Sequence, residues 1–191
     1  MLACSERLRG SVSMPTGSTV DVKTGAIRAS TSRQAPYEIW LGPAMLVAYC
    51  LVNLLVIQPA GNFPLNDDWI YSDSVFHLMK TGQFRLLGCS PFNLLSTLLG
   101  AVVCSVFGQS HEVLRGLTIL LGLATTIVLY FTLLRIGLKR IDAALLVMVL
   151  AANPMFVDLQ FSFMTDVPAL FFVSLYLLLT ITALQAKSGS N

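Results

Sequence analysis

From Gly116 to Leu134 the sequence runs for 19 residues without a charged side chain. At 1.5 Å per residue that run makes a helix of about 28 Å, close to the ~30 Å hydrocarbon core of a bilayer. Three other segments have the same character. Ile39–Ile57 is also 19 residues, with Asn53 its one amide side chain and Pro43 near its start. Ile141–Val157 begins beside Asp142 and has Asn153-Pro154 near its end, a pair that reads as a helix end. Val167–Gln185 carries Pro168 in its first turn, where a missing N–H leaves nothing unsatisfied. Composition agrees: 12% of residues are charged, against about 25% in ordinary soluble domains. The fold class expected is all-α, a polytopic helical membrane protein.

A net charge of +2 is too small to argue for a nucleic-acid partner. Cys4, Cys50, Cys89 and Cys104 form no CxxC, and His77 and His111 define no metal motif. Residues 1–36 are rich in Ser, Thr, Gly and Arg with no apolar periodicity, and read as a disordered tail rather than a signal peptide. A transmembrane module is expected over 37–186, followed by a short tail at 187–191.

Pro91–Phe107 is apolar enough to cross but has Asn93, Ser96, Thr97 and Ser105 scattered through it. Lys and Arg concentrate on the cytoplasmic side of short loops, and that bias decides the matter. If 91–107 does not cross, Arg7, Arg9, Lys23, Arg28, Arg33, Arg135, Lys139, Arg140 and Lys187 are cytoplasmic, nine in all. Lys80, Arg85 and Arg115, three in all, are outside. If it crosses, the split is six and six, with no bias. The expected spans are therefore about 39–57, 116–134, 141–157 and 167–185. Juxtamembrane helices are expected at about 68–81 and 91–107, with the amino terminus in the cytoplasm.

This topology brings two acidic clusters to one face. The first is NDDWIYSD at 66–73, with Asp67, Asp68 and Asp73; the second is DLQFSFMTD at 158–166, ending in Asp166. Six of the ten acidic residues (Asp67, Asp68, Asp73, Glu112, Asp158 and Asp166) then lie outside. The apolar residues Ile70, Val75, Phe76, Leu78 and Met79 suggest a short amphipathic helix ending at Gly82. The plainer readings stay open beside the catalytic one. Acids favour helix starts, Thr165 or Asp166 can cap the helix that Pro168 begins, and Arg115 can be a snorkelling anchor. Arg115, Lys80 and Arg85 could equally meet an anionic phosphate. The sequence contains no GxxxxGK[ST], HExxH or GxSxG.

The order of these features resembles the membrane glycosyltransferases of the GT-C superfamily, in particular the glycosyltransferase family 39-like and RgtA/B/C/D-like group. The residues that carry the likeness are Asp67-Asp68-x-x-Tyr71, TGQF at 81–84 and Phe107-Gly108, then Arg115, the basic turn RIGLKR, Asn153-Pro154 and MTDVP at 164–168. The likeness runs from about Tyr37 to Leu184. It implies a polyprenyl-phosphate-linked sugar donor and transfer at the outer face of a membrane, the bacterial inner membrane being the expected location. It implies acceptor-side catalysis by Asp67, with Asp68 and Asp166 as partner acids. Tyr71, Lys80, Arg85 and Arg115 are the candidate substrate-binding residues. The chain departs from the pattern at Cys89-Ser90-Pro91-Phe92, where relatives often carry Lys or His with paired prolines. Relatives are also commonly longer, so the chain reads as a truncated gene, a fragment or an amino-terminal half, expected to be inactive alone.

The expected chemistry is inverting transfer: Asp67 takes the acceptor hydroxyl's proton as its oxygen attacks the anomeric carbon and the lipid phosphate leaves. A divalent cation, Mg or Mn, is left open, with Asp68 and Asp166 as candidate ligands. The alternatives are a non-catalytic membrane subunit or remnant, and a transporter fragment. The transporter reading fits less well because the acids lie at span ends rather than mid-helix.

Overall fold

The computed structural model describes residues 39–65, 67–86 and 93–188. The tail expected over 1–36, together with Asn66, Cys89-Ser90-Pro91-Phe92 and residues 189–191, lies outside the described residues. Among the described residues there are seven helices and no strand. They are α1 (Leu41–Ile57), α2 (Asp68–Thr81), α3 (Leu94–Phe107), α4 (His111–Arg135), α5 (Arg140–Ala151), α6 (Pro154–Gln160) and α7 (Asp166–Ser188).

Helix α4 is the axis of the molecule. It packs along α7 and also meets α1, α3, α5 and α6. Its buried face is not built of large aliphatic residues but includes Thr118, Gly122, Thr125, Thr126 and Thr132. Each threonine hydroxyl donates to a carbonyl one turn back in the same helix: Thr118 to Leu114 at 3.2 Å, Thr125 to Leu121 at 2.7 Å, Thr126 to Leu123 at 2.8 Å and Thr132 to Val128 at 2.8 Å. In hydrocarbon a polar group must be satisfied internally, and small side chains let helices approach closely. Many of the large apolar residues point the other way, although Leu46, Tyr130 and Val147 pack inside. Leu51, Val52, Leu55 and Val56 of α1, Leu145, Leu146 and Val149 of α5, and Val173, Tyr176 and Leu179 of α7 are all exposed. Small and hydroxylated inside with aliphatic outside is the pattern of a protein solvated by lipid.

Helices α4 and α7 are long and apolar enough to cross a membrane, and the α5–α6 pair makes a third candidate if it counts as one broken span. The continuous helix expected over 141–157 is thus two helices, bent by 69°. Pro154 supplies the reason: it lacks an N–H and pushes the preceding residue out of helical geometry. Asn153 accordingly has φ −65° and ψ 123°, and its side-chain oxygen caps α6 by accepting the Met155 N–H at 2.9 Å. Gln160, at the other end of α6, is buried and donates to the Ile119 carbonyl of α4 at 3.2 Å. Gly122 makes room for it, since a Cβ there would meet the Gln160 side chain at 2.7 Å.

Helix α1 spans 17 residues, about 26 Å at 1.5 Å each, and crosses α4 where Gly42 faces the Tyr130 ring. Helix α3, at 14 residues, is about 21 Å long and short for a span. At the far end of α4, Tyr71 and Val75 of α2, Cys104 of α3, Leu114 of α4 and Phe163 of the α6–α7 turn form one buried cluster. Gly100 lies at its centre, where an added Cβ would come within 2.9–3.1 Å of Leu114, Val75 and Phe163.

Candidate active site

The same cluster gathers the acidic motif. Helix α1 ends at Gln58 in left-handed geometry (φ 46°), and residues 59–65 then cross over the amino end of α4 to reach Asp67. Gly61 has φ 136°, and a Cβ on it would lie 2.1 Å from the Phe63 ring, so no other residue fits this turn without displacing that ring. Asn62 then reaches the start of α4, where its side-chain oxygen accepts the His111 N–H at 2.9 Å and the Ser110 hydroxyl at 3.2 Å. Ser110 in turn caps α4 by accepting the Glu112 N–H at 3.1 Å. Glu112 accepts the N–H of Gly61.

Asp67 and Asp68 stand in opposite environments. Asp67 occupies the N-cap position of α2, is exposed, and makes no side-chain capping bond. Asp68, the first residue of α2, is only 2% exposed. Its Oδ2 accepts the Phe163 N–H at 3.4 Å, and its Oδ1 has no hydrogen-bond partner. Burial pushes this carboxyl above its ordinary value, opposed by the Phe163 N–H, by the nearby His111, by a backbone bond from the Leu65 region and by Arg115. Asp68 thereby ties the first acidic stretch to the turn before α7.

The remaining candidate residues are distributed as follows. Tyr71 is buried in the cluster under Asp68. Asp166 is exposed in the first turn of α7. It follows Phe163 by three residues, so its Cα lies within about 11 Å of the residue that Asp68 holds. Arg115 is 2% exposed, not a surface anchor. Its guanidinium donates to the carbonyls of Pro59, Gly61 (3.4 Å) and Phe63 (2.8 Å) and sits 5.6 Å above the Phe63 ring. Lys80 and Arg85 are exposed at and beyond the other end of α2. Twelve helical residues put Lys80 about 18 Å from Asp68 along the axis, beyond a lysine's reach. The fold therefore brings Asp68, Tyr71 and Arg115 into one buried end of the bundle with Asp67 at its surface, and leaves Lys80 apart. Among the described residues, no group of three or more His, Cys, Asp or Glu is placed to hold a metal ion.

Residues not singled out by sequence also belong here: Gly61, Asn62, His111, Glu112 and Phe163. The Gly61-Asn62 dipeptide is a turn signal that marks the crossing. Nothing in the sequence points to Phe163, which acts through its backbone. His111 is half-buried, with its ring edge-on to Phe76 at 5.5 Å. Two clefts flank the crossing. One of about 550 Å³ lies between Leu54, Gln58, Glu112, Arg115 and Ile119. The other, about 350 Å³, lies between Ile57, Leu65, Pro154, Asp158 and Phe161.

Apolar helices with their polar groups turned inward, joined by a polar end that carries exposed and sealed acids, define an integral membrane protein of the helical class. Residues 93–191, just over half of the chain, match the family of dolichyl-phosphate-mannose-protein mannosyltransferases, and the chain belongs to that family. The family is one of GT-C-type glycosyltransferases, as the sequence motifs imply. The matched segment covers α3 to α7, with Arg115 and Asp166, and begins after α2 and its two acids. Neither the curated proteins nor the solved structures gave a match.

Proposed function

We propose that this protein transfers a sugar from a polyprenyl-phosphate donor to an acceptor hydroxyl at the outer face of a bacterial plasma membrane, with inversion at the anomeric carbon and the amino terminus in the cytoplasm. The observation that carries the proposal is the environment of the acid pair in a chain of this family. Asp67 is an exposed carboxylate free of any capping bond, set on a frame that its sealed neighbour Asp68 locks to the turn before Asp166. In this reading Asp67 accepts the proton of the acceptor hydroxyl while the oxygen attacks the anomeric carbon and the carbon–phosphate oxygen bond breaks. General-base assistance of this kind contributes about 10²–10⁴-fold.

The lipid phosphate leaves with its negative charge, which needs a positive field. At this end of the molecule that field comes from the amino ends of α2 and α4. Lys80 and Arg85, at the opposite end of α2, suit an approach path or a lipid headgroup better than the leaving phosphate. The exposed aliphatic faces supply the surface along which a polyprenyl chain lies.

Membranes from cells expressing the native gene test the reaction class. With a polyprenyl-phosphate sugar of known anomeric configuration as donor, product should form and carry the inverted configuration by NMR. Retention at the anomeric carbon, or strict dependence on a nucleotide-sugar donor, would contradict the proposal.

A further inference from the structure

Arg115 heads the large, fully buried side chains among the described residues, and oxygen atoms of the 59–63 segment meet its charge. A charge in such a place is tolerated only if it is well paired or bonded, and here both terminal nitrogens donate while the buried Nε has no partner. Those carbonyls alternate along the segment, at Pro59, Gly61 and Phe63, so a single planar guanidinium spans the whole crossing. The segment is held a second time by Glu112, one turn before Arg115, which accepts the Gly61 N–H. It is held a third time in the reverse direction, by Asn62 on the His111 N–H and the Ser110 hydroxyl. Gly61 permits the geometry and Phe63 packs under the guanidinium. Two residues past Phe63, at Leu65, begins the turn in which the Asp68 N–H bonds the Leu65 carbonyl at 3.3 Å.

We propose that Arg115 is a positioning residue: with Glu112 and Asn62 it clasps residues 59–63 onto the amino end of α4, and so sets the place of Asp67. The inference rests on the reading of Asp67 as the base. It assigns Arg115 a role other than binding the donor phosphate, although Arg115 also lines the larger cleft beside Glu112. A planar fork with fixed donor directions is what three alternating carbonyls require. A lysine ammonium keeps the charge but offers no such fork.

The two roles give different results for Arg115→Lys. Hydrogen exchange of the backbone amides in 60–63 and 65–68, measured on the protein in its native membrane or in nanodiscs, reads the clasp without any transfer assay. The clasp predicts faster exchange there and unchanged exchange in α5 and α7. It also predicts a fall in kcat of about 10²-fold, the cost that a displacement of about 1 Å can carry, with the donor KM within about 2-fold of the parent. A merely structural residue would lower the amount of folded protein without separating kcat from KM in the folded fraction. Asn62→Ala, whose side chain bonds Ser110 and His111, should loosen the same amides and lower kcat in the same direction, and it carries the test if Arg115→Lys fails to fold. Unchanged exchange in 60–63 with a raised donor KM would overturn the proposal in favour of phosphate binding. Loosened exchange with unchanged kcat would overturn the positioning role. If Asp67→Asn retained transfer while Arg115→Lys loosened the segment, the reading of Asp67 would fall and the clasp itself would stand.

Discussion

A carboxylate removed from water with one long hydrogen bond, as Asp68 is, loses more hydration than the fold returns, and its neutral form is favoured. Asp67, one residue earlier, is exposed, and the two neighbours are thereby separated into a sealed acid and a solvated one. The consequence for stability has a definite sign. The folded state holds the Asp68 proton more tightly than the unfolded chain, whose ordinary value is 3.8. The stabilising contribution of this group is therefore fully present below 3.8 and is lost as pH rises through the raised value. Asp68→Asn keeps the shape and the acceptor for Phe163 while removing the ionisation. It should melt higher than the parent at pH 7 to 8, with the gap closing as pH falls towards 4. A lower melting point for Asp68→Asn at neutral pH would contradict this account of the buried acid. The family resemblance assigned Asp67 the catalytic role and Asp68 the part of its partner, but the burial of Asp68 was not legible, because it depends on the Phe163 turn 95 residues away.

At the scale of elements, the stops were easier to read than the continuations. Gly82 ends α2 with φ 69°, the left-handed geometry glycine adopts without strain, and Asn153-Pro154 ends α5 for the reasons any proline would. That the chain resumes as α6 and turns by 69° was not legible. The turn is fixed by Gln160 fitting against Gly122 and bonding the Ile119 carbonyl, contacts that join distant parts of the chain. Helix α3 carries the topology. If its 14 residues lie along the interface rather than cross it, the α3–α4 turn stays on the outer side with the acids and the α4–α5 turn faces the cytoplasm. Gln109 and Gly137 are exposed in those two turns. With Cys4 and Cys89 replaced by serine and Cys50 and Cys104 buried, a cysteine at Gln109 should react with an impermeant maleimide in intact cells, and one at Gly137 should react only after permeabilisation. The reverse pattern would place 91–107 across the membrane and move the basic turn outside.

For the whole molecule, class was legible because a lipid-solvated protein reverses the usual distribution of side chains. Long uncharged runs with few acids or bases leave no other economical arrangement in water, and the threonine- and glycine-lined seam of α4 is the interior they require. The clasp at the amino end of α4 was not legible, since Arg115 at the head of an apolar helix looks the same in sequence whether it snorkels, binds phosphate or bonds a loop. Transfer by this end of the molecule is tested most directly at Asp67. In membranes carrying the native gene with Asp67→Asn, sugar transfer from a polyprenyl-phosphate donor should fall by at least about 10²-fold. Insertion, abundance and the exchange of residues 60–63 should be unchanged, and Lys187→Gln in the last turn of α7 should transfer like the parent. Full transfer by Asp67→Asn would mean that the exposed acid is only a helix start, and that catalysis lies elsewhere.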